Sequence, residues 1–180
     1  MEVLRSARLI LRTWDVDDLA PLYALNQDPR VHEFLPGPMS MAQAEVFTIN
    51  HNALQAAQGM CYWALELVKS GELVGFAGLK PHTAGLPFAP CVDIGWRLGV
   101  AHWGKGLASE AARACLAHGF GPLELNEIVS FTVPENLCSR RVMENIGMQR
   151  ITDGDFDHPA LDPGHRLARH VLYRATPGPV

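Results

Sequence analysis

The sequence of 180 residues has no apolar run of about eighteen residues, the minimum for a membrane-spanning helix. Met1 to Arg5 lead into no apolar signal-peptide core either. The four cysteines lie far apart and form no C-x-x-C pair, which is typical of reduced core thiols. We therefore expect no membrane partner, no secretion and a cytoplasmic location.

Excess positive charge is also missing, because 15 basic residues stand against 19 acidic ones and the net charge is −4. Proteins that coat nucleic acid carry a strongly basic surface, so we expect no nucleic-acid partner. Eight histidines are present, but no H-E-x-x-H motif occurs. Cys115 and His118 share a helical face without a second ligand pair nearby in the sequence, so we expect no metal.

What is present is an ordinary globular composition, with 48% hydrophobic and 19% charged residues. The length suits one domain, since domains usually have about 100–200 residues. The sequence contains no internal repeat, linker or low-complexity block. We expect residues 1–180 to form a single domain.

Hydrophobic periodicity and turn residues predict an α/β fold with a mixed sheet. Asp15, Ser40 and Asn136 are N-cap residues of predicted helices, and an alanine-rich helix ends near Phe120. The segment 153–165 is rich in Asp, Pro, Gly and His and is predicted to be a loop. Seven strands are predicted, at residues 8–14, 61–68, 73–80, 91–98, 127–133, 148–151 and 170–174.

The most informative segment runs from Ile94 to Glu110, from a strand through a glycine turn into the alanine-rich helix. The start of a helix has unpaired N–H groups and the positive end of the helix dipole, so it attracts phosphate. Glycines allow a ligand to approach the backbone closely because they have no Cβ. Either this turn binds an anion, or its glycines serve the geometry of the chain alone.

Two nucleotide-binding patterns match the turn incompletely. Gly99-x-x-x-x-Gly104-Lys105 has P-loop spacing, but Gly106 stands where Ser or Thr should hold magnesium. Gly104-x-Gly106-x-x-Ser109 approaches the dinucleotide fingerprint, but serine replaces its third glycine. Both patterns are weak, and a nucleotide-dependent phosphotransferase is the least favoured function.

A third pattern resembles the pyrophosphate loop of the GNAT family of N-acetyltransferases, Arg/Gln-x-x-Gly-x-Gly/Ala. Gly106-Leu107-Ala108 matches its second half, while Trp103 occupies the Arg/Gln position. Trp-Gly-Lys-Gly-Leu-Ala followed by Ser-Glu-Ala resembles the RimJ/RimL-type branch. Further segments resemble that branch in the same order, at residues 7–12, 28–31, 74–79, 93–96 and 136–148.

The resemblance implies a central twisted, mostly antiparallel sheet of about seven strands, flanked by about four helices. Acetyl-CoA would lie between the splayed fourth and fifth strands, at 91–98 and 127–133. Backbone groups around Leu98 and Val100 would pair with the pantetheine arm. The pyrophosphate would bind the loop formed by Trp103, Gly104, Lys105, Gly106, Leu107, Ala108 and Ser109, and Asn136 and Ser139 would also contact the cofactor.

The acetyl acceptor must be a neutral amine, so the reaction needs a base. Asp93 is the first candidate, although it could be only a structural hydrogen-bond acceptor. Glu66, in the middle of a strand, is second, and His82 and the pair Asp157-His158 follow. Many relatives have a tyrosine that acts as general acid at the position of Met143, and methionine cannot donate a proton. The resemblance implies that Ser139 offers its hydroxyl to the CoA sulfur instead.

The acceptor should bind between the first two helices and the loop 153–165. Phe34, Leu35 and Trp63 could form an apolar wall, while Asp155 and Asp157 would suit a basic amine, and His158 is a further substrate-binding candidate. We expect the α-amine of a protein or peptide, or a small-molecule amine, and a possible homodimer. The alternative is a non-catalytic acyl-CoA-binding or sensor protein on the same fold.

Overall fold

The computed structural model describes residues 1–178, and these contain eight β-strands and four α-helices. The strands are β1 (Glu2–Arg5), β2 (Leu9–Arg12), β3 (Tyr62–Leu67), β4 (Leu73–His82), β5 (Cys91–Leu98), β6 (Ile128–Thr132), β7 (Gln149–Asp157) and β8 (Arg169–Ala175). The helices are α1 (Leu19–Leu25), α2 (Met41–Gln58), α3 (Leu107–Phe120) and α4 (Leu137–Asn145). Short 3₁₀ turns occupy Val16–Asp18 and Val100–His102.

All eight strands form one mixed sheet in the order β1-β2-β3-β4-β5-β6-β8-β7. Every neighbouring pair is antiparallel except β5 and β6, which run parallel. The connection between these two strands contains α3, as a parallel crossover requires. The expected α/β fold with a mixed sheet and four helices is confirmed.

The helix starts follow from capping residues that the sequence predicts. Asp15 forms a capping box with Asp18, and Ser40 forms another with Gln43. The Asn136 side chain accepts a hydrogen bond from the Ser139 amide at the start of α4. Gly59 ends α2 in the left-handed conformation, with φ of 69°.

The two faces of the sheet carry separate cores. Trp63 and Leu65 of β3 belong to the larger core, together with Ala111 and Cys115 of α3. Ala64, between them in β3, points to the other face and joins the smaller core beside α1 and α2. The small side chains of α3 allow that helix to lie close to the sheet.

The structure differs from the predicted elements at two places. A first strand, Glu2–Arg5, pairs with β2, so the expected fourth and fifth strands are β5 and β6. The strand predicted at 148–151 continues to Asp157, across a bulge after Ile151, so the predicted loop begins later. Within residues 1–178, no helix has both the length and the apolar character to cross a membrane.

Candidate active site

The parallel strands β5 and β6 are in register at one position only. Asp93 is in register with Val129, and the Ser130 hydroxyl donates a 2.9 Å hydrogen bond to the Ile94 carbonyl. Beyond this point, which we call the vertex, no further β5–β6 pair is formed among residues 1–178. Neighbouring strands that do not pair leave backbone N–H and C=O groups that need other partners. The unpaired stretch between β5 and β6, which we call the gap, therefore suits an extended ligand that carries amide groups.

The glycine turn joins the open end of β5 to α3. Gly104 and Gly106 both have positive φ, 71° and 74°, a backbone conformation that residues with a Cβ rarely adopt. The Glu110 amide donates to the Gly106 carbonyl at 3.0 Å, as expected for the first turn of α3. The amides before Glu110 have no intrahelical acceptor and lie at the positive end of the helix dipole. This turn can bind an anion.

A clamp that the sequence did not predict holds the turn against the start of the chain. The Glu110 carboxylate accepts hydrogen bonds from the Ser6 hydroxyl at 2.7 Å and from the Arg8 amide at 2.8 Å. The Arg8 guanidinium donates to Glu110 at 2.6 Å and to the Lys105 carbonyl at 2.9 Å. The partners are about a hundred residues apart, so no local pattern reveals them.

Trp103 replaces the expected Arg/Gln and has a partner within the protein. Its indole N–H donates a 2.8 Å hydrogen bond to the Leu98 carbonyl, although 43% of the residue is exposed. The indole therefore fastens the turn to the end of β5. The Leu98 carbonyl is engaged in this bond, which weakens the expectation that it pairs with a ligand.

Asp93 lies at the vertex and is only 6% exposed. The Tyr62 hydroxyl is 2.9 Å from one of its carboxylate oxygens and 2.7 Å from the other, and donates to them. Burial, with the charge of Asp93 and this hydrogen bond, raises the pKa of Tyr62 well above its usual value. Tyr62 therefore remains a neutral donor, and His82 approaches the same carboxylate with its Nε2 3.3 Å away.

Glu66, the second candidate base, has a structural partner. Its carboxylate accepts a 2.7 Å hydrogen bond from Arg12, which also pairs with Asp18 at 2.6 Å. The hydrogen bond to Asp18 is the main reason that the pKa of Arg12 is raised, so the guanidinium stays charged. These ion pairs give the Glu66 carboxylate a structural role that requires no part in catalysis.

The prediction that Trp63 forms part of an acceptor wall is wrong. Trp63 is completely buried, and its indole donates a 2.7 Å hydrogen bond to Gln55 of α2. Phe34 and Leu35 are half-buried in the loop between α1 and α2. Arg166 donates a 2.9 Å hydrogen bond to the Glu33 carbonyl, which joins this loop to the one between β7 and β8.

The two carboxylates expected to attract a basic amine are both paired with arginine. Asp155 forms an ion pair with Arg150, and Asp157 lies 3.4 Å from Arg169. His158, which follows Asp157, is half-buried, and burial is the main cause of its lowered pKa. Both carboxylates therefore have an arginine partner, and their role toward a basic amine stays a prediction.

A cluster of aromatic and imidazole rings that the sequence did not predict lies beside β6. The Phe131 ring is 5.6 Å from Phe156, 5.9 Å from His170 and 6.3 Å from His82, measured between centroids. The rings come from β4, β6, β7 and β8, which only the sheet brings together. Within residues 1–178, no group of three or more His, Cys, Asp or Glu side chains is placed to hold a metal ion.

A short connection, residues 133–136, leads from β6 to the start of α4. Asn136 caps the helix and also donates a 3.0 Å hydrogen bond to the Thr132 hydroxyl, so both ends of its amide have protein partners. The Ser139 hydroxyl makes no hydrogen bond to any residue between 1 and 178. Met143 is 1% exposed and belongs to the core, so it offers no proton donor.

Comparison with known proteins decides the family. The model of the acetyltransferase (GNAT) domain matches residues 8–149. The chain belongs to the GNAT acetyltransferase family. This GNAT chain has a glycine turn before α3 and a single register pair between the parallel strands β5 and β6.

Two curated relatives come from Bacillus subtilis. The GNAT chain is 32% identical to the uncharacterized protein YkkB over 142 residues, covering 78% of this chain and 81% of YkkB. It is 30% identical to the uncharacterized N-acetyltransferase YnaD over 148 residues, covering 82% of each.

Solved structures extend the likeness to the whole fold. A GNAT acetyltransferase from Bacillus anthracis has a TM-score of 0.78 and 27% identity, with 96% of this chain and 97% of that chain covered. RimL, a ribosomal alpha-N-protein acetyltransferase in complex with coenzyme A, has a TM-score of 0.78 and 16% identity, with 98% of both chains covered. The RimJ/RimL-type resemblance is thus confirmed at the level of the fold.

Proposed function

We propose that this GNAT acetyltransferase transfers the acetyl group of acetyl-CoA to a primary amine by direct attack in a ternary complex. The observation that carries the proposal is the separation of β5 and β6 at Asp93, with an anion-binding turn at the open end of β5. One gap can then hold a phosphate-bearing cofactor at one end and an amine at the other.

The proposed cofactor site combines the glycine turn with the unpaired edge of β5. The pyrophosphate binds the amides between Gly104 and Ser109, and Lys105, which is exposed, adds a positive charge. The pantetheine arm follows the free edge of β5 from Val100 and brings the thioester to the vertex. The RimL structure, which contains coenzyme A, supports a CoA ligand for this fold.

The acetyl transfer requires a neutral amine nitrogen. An α-amine with a pKa of about 7.8 needs only roughly 1 kcal/mol to lose its proton at pH 7, whereas a lysine near 10.4 needs about 4.6 kcal/mol. Asp93 lies at the vertex, where it can assist this proton removal. The thiolate leaves when the C–S bond breaks, and in this proposal the Ser139 hydroxyl donates to the sulfur.

The acceptor is proposed to enter between the loop that contains Phe34 and Leu35 and the loop that follows His158. The Arg166–Glu33 hydrogen bond, which joins these loops, supports a shared entrance. Candidate acceptors are the N-terminal α-amine of a protein or peptide and a small-molecule amine. A homodimer stays a prediction.

The test is incubation of the protein with acetyl-CoA and a panel of amines that includes peptides. We expect free thiol to be released and the acetylated amine to be detected by mass spectrometry. The same incubation with cell extract and labelled acetyl-CoA would identify the natural acceptor. Binding of CoA without turnover on any acceptor would contradict catalysis and favour a non-catalytic acyl-CoA sensor.

A further inference from the structure

A buried nitrogen beside Asp93 has no hydrogen-bond partner. His82 lies at the end of β4, and its Nε2 is inaccessible to solvent. Nε2 is 3.3 Å from the Asp93 carboxylate, but it makes no well-aligned hydrogen bond to any residue within 1–178. A buried polar atom without a partner costs free energy, and catalytic hydrogen bonds often align only when the substrate binds.

His82 lies at the junction of three strands. Cys91 of β5 is its register partner, and the Phe131 ring of β6 is 6.3 Å away. Asp93, two residues further along β5, is the residue that pairs with β6. The imidazole is therefore beside the vertex, and 18% of its side chain remains accessible although Nε2 does not.

Asp93 is better placed to orient an imidazole than to meet an amine. Its two oxygens accept from Tyr62, and the residue is 6% exposed. A carboxylate that accepts from Nε2–H fixes the tautomer in which Nδ1 holds the lone pair. When Nε2–H and Asp93 align on substrate binding, His82 presents Nδ1 as the proton acceptor, while Tyr62 donates to the same carboxylate.

We propose that His82 is the catalytic base of this enzyme and that Asp93, held by Tyr62, is its positioning residue. The inference rests on the proposed function. As the amine lone pair attacks the thioester carbon, a C–N bond forms and the amine proton passes to Nδ1 of His82. The C–S bond then breaks, CoA thiolate leaves with the electron pair, and the proton passes from His82 to the sulfur.

The other titratable groups around His82 do not compete for this role. Burial lowers the pKa of His158 and of His170, so both stay neutral at pH 7. Burial also raises the pKa of Cys91 to about 11, so its thiol is neutral as well. Lys80, on the same strand, is in register with Asp93 and is the nearby cation of β4. Asp93 is thus the carboxylate that the ring faces.

The deciding experiment compares His82→Gln with His118→Gln. His118, on α3, is a matched control because its Nε2 is also buried without a hydrogen-bond partner inside the described chain. With acetyl-CoA and a peptide α-amine, we expect His82→Gln to lose about 10²–10⁴-fold in kcat, the range for general base catalysis. The KM for acetyl-CoA should stay within about threefold, and His118→Gln should keep its kcat.

The pH profile and chemical rescue separate a base from a structural histidine. The pH dependence of kcat is measured with a peptide α-amine and with an alkylamine as acceptors. An inflection that comes from the enzyme should lie at the same pH with both acceptors and should be absent in His82→Gln. Added imidazole should restore turnover to His82→Ala but not to His118→Ala. Asp93→Asn, which keeps the shape of the side chain, should lower kcat and shift the same inflection.

Three results would overturn the assignment while leaving the enzyme intact. These are a His82→Gln kcat within about threefold of wild type, an unchanged inflection, or no rescue by imidazole in a folded His82→Ala. A wild-type protein that turns over no amine would instead overturn the proposed function itself. Thermal unfolding of each variant distinguishes a lost base from a lost fold.

Discussion

Single side chains set the chemistry at the vertex, and Tyr62 shows how. Tyr62 lies on β3, which is separated from β5 by β4, and its hydroxyl reaches Asp93 of β5 across β4. Gly95 allows this, because a Cβ at that position would lie 2.9 Å from the Tyr62 hydroxyl oxygen. A strand glycine is therefore required for the close approach of a phenol to a buried carboxylate.

Replacing Tyr62 with phenylalanine should lower kcat more than it changes the KM for acetyl-CoA. The change removes the donor to Asp93 and leaves the ring in place. A hydrogen bond to a charged group contributes about 1.5–3 kcal/mol, so kcat should fall roughly 10- to 100-fold. Steady-state kinetics measure this, and a raised KM for acetyl-CoA with an unchanged kcat would contradict it.

Replacing Ser139 with alanine should lower kcat about tenfold, because the departing thiolate loses one hydrogen-bond donor. The α4 cap should survive, since it uses the Ser139 amide and not the hydroxyl. Cys138→Ala is the matched control, because Cys138 directly precedes Ser139 and its side chain is exposed. Equal kcat values for both variants and the wild type, measured by thiol release, would remove Ser139 from the mechanism.

At the scale of elements, α2 is joined to β3 by a histidine that must be neutral. His51 accepts a 3.2 Å hydrogen bond from the Tyr62 amide and packs against Phe47 and Tyr62. Burial, with a smaller contribution from Lys80, lowers the pKa of His51 to about 4. The folded state therefore binds a proton at His51 less readily than the unfolded state does.

This linkage predicts acid destabilisation in a defined pH window. The unfolded imidazole titrates near 6.5, so the stabilisation is complete above that pH and is lost as pH falls toward 4. The full loss is about 3 kcal/mol, and about 2 kcal/mol is lost by pH 5. Urea unfolding measures the difference in the free energy of unfolding between pH 7.5 and pH 5. This difference should be smaller for His51→Gln than for the wild-type protein, and equal differences would exclude His51 as the cause.

The start of α3 depends on the clamp between Glu110 and Arg8. Glu110→Gln removes the charge that holds Arg8 and, through it, the Lys105 carbonyl. We expect the Kd for CoA to rise about tenfold, which corresponds to about 1.4 kcal/mol. Glu127→Gln is the control, since its exposed pair with Arg174 lies away from the turn. Calorimetric titration that gives the same Kd for both variants would contradict a role for the clamp.

The whole molecule should be stabilised by its cofactor, because the gap exists only when β5 and β6 belong to one folded sheet. A ligand at a hundred times its Kd adds about 2.7 kcal/mol to stability. For a chain of this size the Tm should rise by roughly 5–10 °C. Thermal scans with CoA and with Mg-ATP measure this, and a rise with Mg-ATP alone would favour the phosphotransferase interpretation.

Local patterns were sufficient for most elements and for the glycine turn before α3. Ser40 and Gln43 predicted the start of α2 because a capping box needs only neighbouring residues. β1 was missed, since four residues with two charged ends show no clear periodicity until they pair with β2. The end of β7 was missed because its glycine and aspartates, typical of loops, occupy a bulged strand.

The sequence by itself determined the α/β fold, the positions of the helices and the glycine turn, because propensity, capping and spacing act within a few residues. The tertiary structure decided which side chains meet. It buried Trp63, gave Glu66 and Asp157 arginine partners, and brought Tyr62 and His82 to Asp93. Such contacts depend on strand order and on the face to which each side chain points, and both are set by packing of the whole sheet.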